Sequence, residues 1–168
     1  MTHQAQSMSK NTRLLAQQLG DILRAKGWQL TCAESCTGGG IGYAITEISG
    51  SSNWFDRGFI TYSNQAKQAM LGVSAATLEC YGAVSAQTVE AMAAGAAKAA
   101  GAQCAIAVSG IAGPDGGSAD KPVGTVWFAF ALEQQLFAEK QMFSGARDQV
   151  RQQAIDYALS RMIQLTDT

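Results

Sequence analysis

Residues 28–50 read WQLTCAESCTGGGIGYAITEISG. The short apolar run WQLTCA passes straight into ESCTGGG, after which Ile41, Ala44, Ile45 and Ile48 recur at helical spacing up to a stop at Gly50. A strand, a glycine turn and a helix in that order form one βα unit. Upstream, Leu14, Leu15, Leu19, Ile22 and Leu23 alternate with Gln17, Gln18, Asp21 and Arg24, which predicts an amphipathic helix over residues 10–26 that Gly27 ends. Downstream, the turn SSNW leads to FDRGFITYS, a predicted strand that delivers Tyr62 and Ser63 at its end. Asn64 is placed to cap the helix NQAKQAML, with Lys67 in its first turn.

A short helix at SAATLECY and a longer one from Ser85 to Ala100 follow, the second rich in alanine and so able to lie close against a sheet. CAIAVSG has the character of a central strand. It opens into GIAGPDGGSADKPVG, a loop with five of the 18 glycines and both prolines. TVWFAFAL and QLFAEKQMF read as a hairpin, and a last helix is predicted from near Ser144. Alternating strands and helices, without a repeat or a linker, predict a three-layer α/β/α sandwich with a mixed, mostly parallel sheet. Residues 1–9 read as a flexible tail and 10–168 as a single domain.

Composition narrows the function. The chain has 168 residues, 47% hydrophobic and 15% charged, and no apolar run reaches the ~18 residues of a membrane helix. Twelve basic residues against 13 acidic ones, with no basic stripe, argue against a nucleic-acid groove and for a small-molecule ligand. No signal-peptide pattern opens the sequence, so a cytoplasmic location with reduced, packing thiols at Cys32, Cys36, Cys80 and Cys104 is expected. The one histidine, His3, falls in the polar start, which removes the central residue of a Ser-His-Asp triad or a Cys-His pair. Metal-ligand spacing is lacking too, so no metal and no cofactor are expected.

In open α/β sheets ligands collect beyond the carboxyl ends of the strands, which directs attention to ESCTGGG, TYSNQAK and SGIAGPDGG. Ser35 leaves a strand just before Thr37, Gly38 and Gly39, whose amides could surround an oxyanion; the alternative is a serine or threonine that caps a helix over a glycine turn. Glu34 could orient a neighbour or substrate, or serve as a helix N-terminal charge. Tyr62 and Lys67 could activate Ser35 without histidine, since desolvation turns a lysine into a usable base; otherwise they are an ordinary strand tyrosine and surface lysine. Ser63, Asn64, Ser109, Gly110 and Gly113 are further binding candidates. Arg147 and Arg151 could share a helix face and meet a phosphate, and Arg147 opposes the helix dipole, which favours a partner for it.

Taken together, TCAESCTGGG, GSSNWFDRGFITYSNQAK, GAVS, SGIAGPDGGSADKPVGTVWFA and FSGARDQVRQQA resemble the CinA C-terminal domain family over nearly the whole chain. The resemblance is closest to the single-domain members, and it implies a nicotinamide-nucleotide amidohydrolase. Such an enzyme converts nicotinamide mononucleotide and water to nicotinate mononucleotide and ammonia. It further implies a catalytic set of Ser35, Tyr62 and Lys67, independence of metal and cofactor, and a homodimer. Two rivals stay open at this point: a nucleotide-binding regulatory module without catalysis, and a metal-dependent pyrophosphate hydrolase using Asp115 and Asp120.

Overall fold

The computed structural model describes residues 8–168; the expectations for His3 and most of the tail lie outside the described residues. Residues 8 and 9 are already structural. Met8 packs against the core, and the Ser9 hydroxyl accepts from the Thr12 amide to cap the first helix.

The elements follow in the order α1 (Lys10–Lys26), β1 (Leu30–Glu34), α2 (Gly40–Thr46), β2 (Phe59–Ile60), α3 (Asn64–Leu71), α4 (Ala75–Tyr81), α5 (Ala86–Ala100), β3 (Cys104–Gly110), β4 (Thr125–Leu132), β5 (Gln135–Met142) and α6 (Arg147–Thr166), with a 3-10 turn at Ser51–Asn53. Five strands form one sheet in the order β2-β1-β3-β4-β5. β1 pairs in parallel with β2 and β3, whereas β4 is antiparallel to both β3 and β5. Four strands therefore point one way and β4 alone opposes them. No helix among the described residues is long and apolar enough to cross a membrane.

The two faces of the sheet differ in side-chain size, and this sets the layer spacing. Leu30, Cys32, Ile106, Val108, Phe128 and Phe130 point to the face covered by α1, α2 and α6. Ala33, Ala105, Ala107, Ala129 and Ala131 point to the face of α3 and α5, against Val89, Met92, Ala93 and Ala96. Alanines on both sides let α5 lie close to the sheet. Gly95 takes this further: a Cβ there would stand 2.0 Å from the Leu71 carbonyl oxygen at the end of α3.

Several boundaries differ from the sequence reading for local reasons. α2 ends at Thr46, not Ile48, because its last turn tightens, with the Ile48 amide donating to Ile45 O. β2 shrinks to two residues on the sheet edge, where the chain passes Cys32 at Gly58 so closely that a Cβ would lie 2.7 Å from Sγ. Ser63, not Asn64, caps α3, its hydroxyl accepting from the Ala66 amide at 3.0 Å. α6 begins at Arg147, where the Gln149 side chain accepts from the Ala146 amide. Of the four thiols, Cys80 is exposed instead of packed.

Topology places the site. The chain leaves β1 through α2 on one face of the sheet and leaves β2 through α3 to α5 on the other, so a crevice opens between the carboxyl ends of β1 and β3. α6 borders it from the first face. It is anchored by Tyr157 against Phe128, at 4.7 Å between ring centroids, and by Arg161 bound to Glu139 of β5 at 2.7 Å.

Candidate active site

Ser35 stands immediately after β1, 8% exposed, and its amide donates to Val108 O at 3.0 Å, so the β1–β3 ladder holds it in place. The chain then turns sharply, the Gly38 amide donating to Ser35 O and the Gly40 amide to Thr37 O, both at 3.0 Å. Gly38 and Gly39 have φ of 58° and 100°, values that favour glycine.

Glu34 fastens this turn. It is 1% exposed, and its carboxylate accepts from the Thr37 hydroxyl at 2.6 Å, the Ile41 amide at 2.8 Å and the Gly42 amide at 3.0 Å. A carboxylate there satisfies amides at the start of α2 and complements the helix dipole. Of its two sequence readings the helix-terminal one describes the contacts, and Glu34 is not among the residues that line the cleft of Ser35 and Lys67. Thr37 is likewise inward, fully buried and bound to Glu34.

Lys67 comes from α3 on the opposite face and is 1% exposed. Its Nζ lies 3.1 Å from Ser35 Oγ and 2.8 Å from Thr61 O. Among the described residues no carboxylate forms an ion pair with it. Burial without a counter-ion lowers its pKa from the ordinary lysine value, opposed by the neighbouring Cys36. The Cys36 thiol is itself pushed up to about 11 by burial, so it stays protonated at neutral pH.

These side chains open onto a cleft of about 300 Å³ lined by Ser35, Tyr62, Asn64, Lys67, Ser109 and Arg147, with Cys36, Ala83, Val84, Gly110 and Ala112. No carboxylate lines it. Tyr62 is on the rim, 61% exposed, and its hydroxyl accepts from Arg147 Nη2 at 3.1 Å; Arg147 Nη1 donates to Gly113 O at 2.8 Å. The structure joins Ser35 to Lys67 directly, whereas Tyr62 is engaged at the mouth. Ser63 is committed to its cap, and Gly113 meets the site only through Arg147. Asp115 and Asp120 are exposed on the loop, away from the cleft, and among the described residues no three His, Cys, Asp or Glu side chains are placed to hold a metal ion.

A family model described as the CinA C-terminal domain matches residues 12–166. The chain belongs to the CinA C-terminal domain family. Among its relatives, the nicotinamide-nucleotide amidohydrolase PncC of Enterobacter agglomerans is 61% identical over 151 residues, covering 89% of this chain and 92% of that protein. The protein of the same name from Escherichia coli is 56% identical with the same coverage. The crystal structure of the competence/damage inducible protein CihA from Agrobacterium tumefaciens superposes with a TM-score of 0.92 at 42% identity, covering 96% of this chain and 99% of that one.

Within this CinA-family frame, one further residue touches the turn that follows Ser35. Arg151 donates to the carbonyls of Cys36 at 3.1 Å and Thr37 at 3.3 Å, and it lines a second cleft together with Arg147. Its i+4 spacing from Arg147 was visible in the sequence, but the carbonyls it reaches lie more than a hundred positions away.

Proposed function

We propose that this protein is a nicotinamide-nucleotide amidohydrolase that hydrolyses the carboxamide of nicotinamide mononucleotide to a carboxylate, releasing ammonia. One observation carries the chemistry: a serine hydroxyl at the crevice of an α/β sheet touches a buried lysine that has no counter-ion. The names of the relatives supply the substrate class.

In this reading neutral Lys67 accepts the Ser35 proton as Oγ attacks the carboxamide carbon. The resulting ammonium is steadied by Thr61 O and returns its proton to the leaving nitrogen, so ammonia departs and an ester on Ser35 remains. Water then gives a proton to Lys67 and attacks the ester, and on collapse Lys67 returns that proton to Ser35 Oγ, restoring the serine and the neutral base. The amides of Ser35 and Gly38 are already bonded, which leaves those of Cys36, Thr37 and Gly39 to offset the oxyanion at both stages. No electrons are transferred, so no redox group is called for. The phosphate end of the substrate lies toward Arg147 and Tyr62 at the mouth, where a guanidinium can make charge-assisted contacts.

The test is direct: ammonia and nicotinate mononucleotide measured in equal amounts from nicotinamide mononucleotide, with free nicotinamide as the comparison substrate. Formation of neither product by folded protein, across neutral to alkaline pH, would overturn the proposal.

A further inference from the structure

Arg151 lies in the second turn of α6, half-buried between two clefts of about 430 and 630 Å³, the smaller lined by Thr37, Gly38 and Gly39 of the turn after Ser35. Among the described residues it joins no ion pair, although Asp148 lines both clefts with it. Its guanidinium spends two donors on successive backbone carbonyls, and Nη2 packs 3.1 Å from where a Cβ on Gly38 would stand. A charged, half-buried group used on neutral carbonyls beside a nucleophile invites a question about what those carbonyls control.

The answer lies in the peptide planes. A trans peptide holds its C=O and N–H on opposite sides, so fixing one fixes the other. The Ser35–Cys36 plane is held by the Gly38 amide on Ser35 O, and the Thr37–Gly38 plane by the Gly40 amide on Thr37 O. The plane between them, Cys36–Thr37, differs: among the described residues Cys36 O accepts from Arg151 alone. That carbonyl is drawn toward α6, so by the trans geometry the Thr37 amide points away from α6. The Thr37 amide has no acceptor among the described residues.

We infer that Arg151 is a positioning residue that locks the Cys36–Thr37 peptide so that the Thr37 amide is presented to the oxyanion formed on attack by Ser35. This rests on the reading of Ser35 as nucleophile. Without Arg151 the plane can rotate, and a rotated plane would offer a carbonyl oxygen to the developing negative charge. The loss falls on the transition state and spares ground-state binding.

The test compares wild type, Arg151→Ala and Arg151→Lys, with Ser35→Ala in parallel, on nicotinamide mononucleotide. Loss of one oxyanion donor lowers kcat by about 10²–10³-fold. The expected result for Arg151→Ala is therefore a fall of on the order of 100-fold in kcat, with KM within about threefold of wild type and an unshifted pH profile. Arg151→Lys, or millimolar guanidinium added to the alanine variant, should restore part of the rate, the ion entering through the flanking clefts.

A raised KM with kcat preserved would make Arg151 a substrate ligand and overturn the inference. A shifted pH profile would mean that its charge acts on Lys67, and would overturn it as well. Absence of any rescue would leave only a packing role and have the same consequence. If the alanine variant fails to fold by its melting curve, the lysine variant carries the same kcat-against-KM comparison. An active Ser35→Ala enzyme would sink the nucleophile reading itself, whereas an inactive one beside a fully active Arg151→Ala would sink this inference alone.

Discussion

Glu34→Gln changes one atom in a buried cap, and the geometry states what that atom does. One carboxylate oxygen accepts from Thr37 Oγ1 and the Ile41 amide, the other from the Gly42 amide. Glutamine keeps one acceptor and places an NH₂ group where the other stood, so one donor of the trio faces another donor. A lost hydrogen bond to a charged group costs about 1.5–3 kcal/mol, and the lost charge at the helix start about 0.3–1 kcal/mol more. The sum is about 2–4 kcal/mol. For a chain of this size it corresponds to a melting point lowered by about 5–12 °C. Thermal unfolding and urea titration should agree, the urea midpoint falling with an unchanged slope, while kcat drops because the Ser35 turn loosens. A variant that melts with wild type yet loses activity through KM alone would refute the cap and return Glu34 to the substrate.

Four further outcomes follow from the same geometry. Lys67→Arg, which cannot deprotonate, should be nearly as inactive as Lys67→Ala, and the wild-type rate should rise with pH through the lowered pKa of Lys67. Because that pKa is lower in the folded than in the unfolded chain, the unfolded state binds more protons between the two values. Wild type should thus gain stability relative to Lys67→Met as pH climbs toward about 10.4, read by urea midpoints at several pH values; a flat difference would contradict the burial argument. Arg147→Ala should narrow the preference for nicotinamide mononucleotide over its riboside, which a charge-assisted contact of about 1.5–3 kcal/mol sets at roughly 10- to 100-fold; an unchanged ratio would move the phosphate elsewhere. Gly95→Ala should lower stability by about 1–3 kcal/mol with KM unaltered, since its methyl meets the Leu71 carbonyl; a melting point equal to wild type would show that the helices can part freely.

The fold was largely legible because periodicity and punctuation agreed along the chain. The glycines at 27, 72 and 101 end helices where the apolar pattern stops, and the alanines of β1, β3 and β4 match those of α5 across a close layer. The misjudged boundaries share a cause. The residues around β2 and the end of α2 sit at an edge or in a turn, where one tertiary contact, such as Gly58 against Cys32, outweighs local propensity. In the site, Ser35 and Lys67 were legible as candidates, but their 3.1 Å contact joins residues 32 positions apart on different elements and has no local signature. Tyr62 showed the limit from the other direction. Its position after a strand suggested a proton relay, and only the packing of α6 reveals that Arg147 holds its hydroxyl. Glu34 could be read two ways until the amides of Ile41 and Gly42 were seen to converge on it.

The proposed chemistry makes Ser35 the nucleophile and Lys67 its base. The measurement that meets it most directly is turnover of nicotinamide mononucleotide by Ser35→Ala, with substrate affinity determined separately by calorimetry on the same preparation. Removing a nucleophile costs on the order of 10⁴-fold or more in kcat while leaving ground-state contacts in place. The expected result is therefore ammonia release reduced to that extent and a dissociation constant within a few-fold of wild type. Ser35→Ala turning over within tenfold of wild type would contradict the claim and reduce Ser35 to a residue of the glycine turn.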